Sequence, residues 1–334
     1  MKSNRLSSAQ WSQLWRRDSI TTFARQFNSN YDGEFAAFWD ARFDPVPNGA
    51  VVVDLATGNG AIALLAIQHA RSRGKLFRVG GLDYADIDPT RVLAGHEDLS
   101  PLLAAIEFAS GVRIEDTTLG DASVDLLTSQ YGFEYAERDA AAAETWRVLK
   151  AGGRMALVLH HAESAVVELA REGLSQVQLC LQQEELDKRV AALVKIIGEA
   201  KTRTERRTLK SNPKAERLRQ KLNASLARIT QRAERYRDPE GFIGIMVPNY
   251  LKVFGEYKEA SMAQKLKYLR EVRASFDAFR ERMADLAGAA LTQSDFDALI
   301  GLLETKGFDV AERGLMRYRG DLMGWTLVVS KPAS

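Results

Sequence analysis

The stretch VVVDLATGNG, residues 51–60, decides the fold. Three valines run into an acid, and two glycines follow with one residue between them. A short continuous apolar run reads as a strand covered on both faces. Glycine is the residue that lets a chain turn sharply and lets a ligand approach the backbone. The segment therefore reads as a buried strand that turns to hold a nucleotide-like ligand.

Working outward, further apolar runs recur with helix-like segments between them. AVVVDL (50–55), LFRVGGLD (76–83), IEFAS (106–110), VDLLTS (124–129) and RMALVLHH (154–161) are the strand candidates. AIALLAIQHARSRG (61–74) is the first connecting helix. Alternation of this kind builds a parallel sheet with helices on its faces. Two more strands are expected around 308–317 and 324–330, an antiparallel pair closing the sheet. Between 162 and 290 the sequence is nearly free of proline and strongly helical. Leu186, Val190, Leu193 and Ile197 keep a four-three-four spacing, and Leu269, Val272, Phe276, Phe279, Met283 and Leu286 form a longer seam. Pro213, Pro239 and Pro248 fall where such helices would break. The expected organisation is an N-terminal helical segment (1–45), an α/β domain made of 46–161 and 291–334, and an all-helical insertion of about four helices (162–290).

The totals set outer bounds. The chain has 334 residues, 46% of them hydrophobic and 27% charged, with a net charge of +2. That balance is ordinary for a soluble globular protein and names no partner. Cys180 is the only cysteine, which excludes an internal disulfide and any cysteine-rich zinc site, and no metal is expected. With no apolar run of membrane-spanning length and no apolar leader at the start, a cytoplasmic protein is expected.

The glycine loop alone permits two ligands. Gly58-Asn59-Gly60-Ala61-Ile62-Ala63 fits the relaxed dinucleotide fingerprint G-x-G-x-x-A, and Asp83 ends the second strand where a carboxylate can accept ribose hydroxyls. A dehydrogenase is one reading. Asp54 argues against it, because a buried carboxylate before the loop would repel a pyrophosphate but suits a ligand carrying an ammonium group. Two further stretches agree: ETWRVLKAGGRMALVLHH (144–161), read as helix, glycine turn and fifth strand, and the closing pair FDVAERGLMRYRGDLMGWTLVVSK.

Together these resemble the class I S-adenosylmethionine-dependent methyltransferases, in particular the group that includes the quinone C-methyltransferases. Asp54, Gly58 and Gly60 match that family's D-x-x-x-G-x-G, Asp83 its acid after strand two, and RVLKAGG (147–153) its R-V-L-K-P-G-G turn, with Ala151 in place of proline. LTQSDFDALIGLLETKGFDV (291–310) resembles the helix before strand six. The resemblance covers about half the chain. It implies a Rossmann-like, seven-stranded methyltransferase sheet with the last strand antiparallel, carrying an all-α cap inserted after strand five. It implies S-adenosyl-L-methionine as cofactor and S-adenosyl-L-homocysteine as product, held by Asp54, Ala56, Gly58, Gly60, Asp83 and Gln130. The family's Gly-Asp after strand three is absent, because Val112 stands there; Glu115 or Asp116 is left to meet the adenine, with Glu115 preferred. Tyr31 in NSNYDGEFAAFWD (28–40) is placed near the cofactor as an aromatic of the N-terminal segment.

Ligands of open α/β sheets bind beyond the carboxyl ends of the strands. Strand four leads into SQYGFEYAE (129–137) and strand five into His160 and His161. In the resembling family these two ends face the methyl group, so Gln130, Tyr131, Glu134, Tyr135, His160 and His161 are expected around the methyl-transfer site. Histidine or glutamate suits proton removal from a phenol, hydroxyl or activated carbon. His160, His161, Glu134 and Tyr135 are the catalytic candidates.

The insertion carries its own charge. Residues 187–240 hold sixteen Lys or Arg against seven Asp or Glu, with Tyr236 the only aromatic. Solvated helix faces with local ion pairs, an acidic carrier and nucleic acid are the three readings; the shortage of stacking aromatics weakens the last. GFIGIMVPNYLKVFGEY (241–257) reads as acceptor-pocket lining or as the insertion's own core. The expected function is methylation of a small or medium organic acceptor, aromatic, acyl or anionic, at oxygen rather than elsewhere, under the helical cap. The rivals are an RNA- or protein-modifying methyltransferase docking through 187–240, and a cofactor-binding protein without catalysis.

Overall fold

Helix α1 (Ser8–Trp15) opens with Gln10 Oε1 accepting the N–H of Ser7, a capping box that satisfies a donor the helix itself leaves free. In this computed structural model the described residues are 5–16, 19–22, 29–198, 200, 202–238 and 241–333. The elements that follow are α2 (Gly33–Phe43), β1 (Val51–Leu55), α3 (Ala61–Ser72), β2 (Arg78–Asp83), α4 (Pro89–Val92), α5 (Ser100–Leu103), β3 (Ile106–Ser110) and β4 (Val124–Gln130). After a 3-10 turn at Phe133–Tyr135 come α6 (Arg138–Val148), β5 (Leu149–Leu159) and α7 (Ala165–Gln178). Then follow α8 (Leu186–Ile197), α9 (Arg203–Lys210), α10 (Pro213–Ala233), α11 (Ile243–Leu251), α12 (Met262–Ala289), α13 (Gln293–Thr305), β6 (Asp309–Tyr318) and β7 (Asp321–Ser330).

The chain divides into two units, Met1–Val167 with Gly288–Ser334, and Glu168–Ala287. The first is a seven-stranded sheet in the order β3-β2-β1-β4-β5-β7-β6. Strands β1 to β5 pair in parallel, while β7 runs antiparallel to both β5 and β6. This is the Rossmann-like methyltransferase sheet that the sequence leads one to expect, with its last strand reversed. The central strands are apolar on both faces: on one, Val53, Leu55, Leu127, Leu157 and Leu327 are buried with Leu299 and Leu303 of α13, and on the other Val52, Leu126, Val158 and Val328 are buried. Each such side chain contributes about 1.5–3 kcal/mol by leaving water.

One boundary departs from expectation. RVLKAGG reads as the end of a helix and a turn before a strand at 154, yet the strand already starts at Leu149. Leu149 pairs with Val124 and Arg154 with Leu126, so five residues of β5 pass while β4 advances two. The glycines bulge out of the ladder, with Gly152 at φ +77°. A Cβ on Gly153 would lie 2.9 Å from the carbonyl oxygen of Lys150, so the second position of the bulge has no room for a side chain. The strand also stops at Leu159, leaving His160 and His161 just beyond it.

The helical unit has its own core. Leu186, Val190 and Leu193 of α8 are buried with Leu222 and Ile229 of α10, Met246 and Tyr250 of α11, and Leu269, Val272 and Phe276 of α12. The α12 seam is thus buried as far as Phe276, with Phe279 packed at its margin. Pro213 starts α10, where its missing N–H costs nothing and Asn212 caps the helix. Pro248 is a correction, since it lies inside α11 rather than at a break. As a proline it offers no N–H to the carbonyl of Gly244 one turn back, and a nine-residue helix is held by burial of Ile243, Met246 and Tyr250 more than by any single backbone bond. Pro239 lies outside the described residues. Among the described residues no helix is long and apolar enough to cross a membrane.

Candidate active site

The site is assembled where β1, β2, β4 and β5 end. Asp54 is buried at the end of β1. Its Oδ2 accepts from Thr57 Oγ1 at 2.6 Å and its Oδ1 from Thr128 Oγ1 at 2.8 Å, so the next turn and the neighbouring strand fix both oxygens. Burial pushes its carboxyl up to about 7, more than these hydrogen bonds lower it. A carboxyl so desolvated is poised to ionise when a cation arrives.

The loop that follows needs its glycines. Gly58 and Gly60 sit at φ +54° and +85°, in the left-handed region. A Cβ on Gly60 would lie 2.8 Å from the Phe108 ring, and one on Gly58 only 2.4 Å from the indole of Trp15. Ala56 takes positive φ too, at +53°, and a Cβ on Gly132 would meet its methyl at 2.4 Å. Asp83 closes the loop: its Oδ2 accepts the Gly58 N–H and its Oδ1 the Ala85 N–H, each at 2.7 Å. Burial pushes Asp83 up to about 6. Each oxygen keeps a second lone pair for a hydroxyl donor.

Beyond β4, Gln130 Oε1 accepts from Trp39 Nε1 at 2.7 Å, which fixes the amide and directs the other end, Nε2, to be the donor. That Nε2 is buried and makes no hydrogen bond of good geometry among the described residues, although it lies near enough to the Tyr31 hydroxyl to lower that group's pKa, so a ligand oxygen would share it with Tyr31. Tyr31 is buried beside Gln130 and within electrostatic reach of Asp54, and burial pushes its hydroxyl well above the usual range. Tyr131 follows at φ +58°, its N–H bonded to the Val158 carbonyl at 2.7 Å and its hydroxyl donating to the Met323 carbonyl at 3.1 Å.

The catalytic candidates divide into two groups. Glu134, fully buried on the 3-10 turn, accepts the backbone N–H of His160 at 2.7 Å and faces its Nδ1 at 2.7 Å with the same Oε1. Its Oε2 is buried with no partner among the described residues. A Nδ1–H donated to the carboxylate leaves Nε2 as the nitrogen that exchanges protons. The Tyr131 ring lies 4.3 Å from the His160 ring and Tyr135 edges onto it at 6.0 Å, while Trp11 of α1 packs on Tyr135 at 5.4 Å. His161 is elsewhere. It stacks on Trp325 at 4.2 Å, its Nδ1 accepts the Glu163 N–H at 2.9 Å, and burial lowers its pKa. Those contacts pack it at the β5 exit, apart from the Glu134–His160 pair.

Glu115 is engaged as well. Its Oε1 accepts the Glu137 N–H at 2.7 Å and meets Arg113 at 3.0 Å. Burial raises its pKa, but those partners outweigh burial and hold it below the usual carboxylate range. Asp116 is exposed in the same turn.

Several residues of the site were not singled out from sequence. Thr57 and Thr128 on Asp54, and Trp39 on Gln130, are long-range partners that leave no local pattern. Helix α1 runs across the loops: Ser8 Oγ donates to the Tyr84 carbonyl, Ser12 Oγ accepts from Asp86 N–H, and Asn59 Nδ2 donates to the carbonyls of Trp15 and Ser19. The one signal for α1 was its capping sequence, Ser7 followed three residues later by Gln10.

Parts of this chain resemble known proteins. Residues 36–176 match the model of the ubiE/COQ5 methyltransferase family. A demethylmenaquinone methyltransferase of Deinococcus radiodurans is 34% identical over 110 residues, which are 32% of this chain and 42% of that protein. The chain therefore spans about two fifths of the length of that relative. Among solved structures, a geranyl diphosphate C-methyltransferase from Streptomyces coelicolor A3(2) is 18% identical over 38% of this chain and 45% of its own, with a TM-score of 0.32. A structure from Methanococcus maripaludis, provisionally described as an S-adenosyl-L-methionine-dependent methyltransferase, covers 100% of this chain and 98% of its own at 13% identity and a TM-score of 0.44.

Proposed function

We propose that this chain, whose residues 36–176 fall in the ubiE/COQ5 methyltransferase family and whose sheet is of the class I kind, transfers a methyl group from S-adenosyl-L-methionine to a small organic acceptor bearing an acidic hydroxyl. The cofactor supplies a methyl carbon on a positively charged sulfur. The residues present suit it: Asp54 would hold its ammonium group, Gln130 Nε2 its carboxylate, and Asp83 its ribose hydroxyls. The loop of Ala56, Gly58 and Gly60 would border it, with the Trp15 ring against Gly58 and the Phe108 ring against Gly60, and Tyr31 would close one side. Glu115 keeps the adenine role assigned to it only through its backbone neighbourhood, since its carboxylate is already engaged.

The observation that carries the catalytic part is the buried Glu134–His160 pair beside that set. His160 Nε2 takes the acceptor's hydroxyl proton, Glu134 accepts the Nδ1–H and stabilises the imidazolium, and Tyr131 and Tyr135 hold the ring in place. Base assistance of this kind contributes about 10²–10⁴-fold. The deprotonated oxygen is the expected nucleophile, and oxygen the expected atom methylated. The role of 162–290 as a cover over the acceptor belongs to the same proposal and rests on chain order, because the insertion begins directly after β5.

The test supplies methyl-labelled S-adenosyl-L-methionine and purified protein to a lysate of the source cells, followed by partition into organic-soluble, protein and nucleic-acid fractions. Label in the organic fraction supports the proposal and delivers the product for identification. Label confined to RNA or protein overturns the small-molecule acceptor and turns attention to the basic segment 187–240.

A further inference from the structure

In the helical unit, α8, α10, the 3-10 turn Lys252–Phe254 and the start of α12 line a cavity of about 710 Å³. Its walls are mostly aliphatic, with Leu193, Val194, Ile197, Leu209 and Val253 joined by Phe254. That volume is in the range of pockets that take drug-sized ligands, and the lining is what an apolar body requires.

The cations on this lining are informative. Lys265, in the first turn of α12, lines the cavity and is 5% exposed. Its Nζ donates to the Lys258 carbonyl at 3.0 Å, and it forms no ion pair with any carboxylate among the described residues. An ammonium has three donors, so two remain for a further acceptor. A buried charge without a counter-ion is costly, and a bound anion is the direct way to offset that cost. Lys258 and Arg219 also line the cavity. Among the described residues that line it, the one acid is Glu216, already held by Arg219 through contacts of 2.7 and 2.8 Å. Arg219 and Glu216 cancel, which leaves Lys265 and Lys258 as the unbalanced charges of the described lining.

We propose that this cavity binds an anionic amphiphile, an aliphatic carboxylate whose head group is held by Lys265 with Lys258 and whose chain lies along Leu193, Ile197 and Val253. The site is built wholly from the helical unit and does not depend on the methyl-transfer reading.

Titration calorimetry on the full chain with decanoate, decanol and decyltrimethylammonium tests this through the head group while the chain stays the same. The expected result is saturable, one-to-one binding of decanoate, at least tenfold tighter than decyltrimethylammonium. Lys265→Met should weaken decanoate at least tenfold and leave decanol within about twofold, with the far-ultraviolet circular dichroism unchanged. Leu193→Trp, which fills the cavity, should remove decanoate and decanol together. Should Lys265→Met fail to fold, the wild-type ranking and Lys258→Met decide, the latter expected to weaken decanoate selectively. Equal binding of the anionic and cationic probes, no binding of decanoate, or a preference that survives the lysine substitutions overturns the proposal.

Discussion

Cofactor binding to this protein should expel protons, and the amount follows from two buried acids. Burial holds Asp54 near pKa 7 and Asp83 near 6 in the ligand-free protein. An ammonium group brought against Asp54 favours its ionised form, and so do hydroxyl donors on Asp83. At pH 6 a group of pKa about 7 is roughly 90% protonated and one of pKa about 6 is roughly half protonated, whereas at pH 8 the two fall to roughly 10% and 1%. Binding of S-adenosyl-L-homocysteine should therefore release about 0.9 to 1.4 protons at pH 6 and about 0.1 at pH 8. By the same linkage the apparent affinity should rise about ten- to twentyfold across that interval. Calorimetric titrations at pH 6 in buffers of different ionisation enthalpy give the proton count as the slope of observed enthalpy against buffer enthalpy. Asp54→Asn should cut the slope to the share of Asp83, about half a proton. A slope near zero for the wild type at pH 6, with pH-independent affinity, would refute the reasoning.

The same acids set the stability of the free protein. Their folded pKa values lie above the unfolded ones, so as pH rises from about 4 to 7 the unfolded chain ionises first and stability falls, with an upper bound of about 4 kcal/mol from Asp54. A melting curve taken at pH 5 and pH 8 should show the loss in wild type and a smaller loss in Asp54→Asn; equal losses would count against a buried Asp54. Gly60→Ala must place a methyl 2.8 Å from Phe108 at φ +85°, and should cost about 1–3 kcal/mol by denaturant titration. Wild-type stability there would mean the loop is free to relax. Once the acceptor is known, His160→Asn and Glu134→Gln should each lower kcat about 10²–10⁴-fold with homocysteine-form binding unchanged. An activity loss below fivefold in both would remove the pair from proton transfer, and His161→Asn should act on stability rather than on kcat.

What the sequence conveyed was mainly local. Continuous valines and leucines announce strands covered on both faces, and Asp54, Gly58, Gly60 and Asp83 announce a ligand loop, because turn chemistry and strand burial are written within a few residues. The α8 and α12 seams were legible for the same reason: helical periodicity is a short-range signal. The rest depended on contacts across the chain. Thr128 reaches Asp54 from 74 residues away, and Trp39 reaches Gln130 from 91. No spacing rule separates His160 from His161; the side each takes past Leu159 is decided by Glu134 on one hand and Trp325 on the other. The early start of β5 escaped because a bulge looks like a turn in sequence. Pro248 escaped because tertiary burial overrode a local helix breaker. Lys265 gave no sign at all, since one lysine in a basic, helical stretch reads as solvated until its burial is seen.

The most direct measurement is competitive binding of S-adenosyl-L-homocysteine and nicotinamide adenine dinucleotide to the purified full chain. The account predicts saturable binding of S-adenosyl-L-homocysteine, weakened at least tenfold in Asp54→Asn at pH 8 and not displaced by the dinucleotide. Binding of the dinucleotide in preference would contradict it, and would return the glycine loop to the dehydrogenase reading.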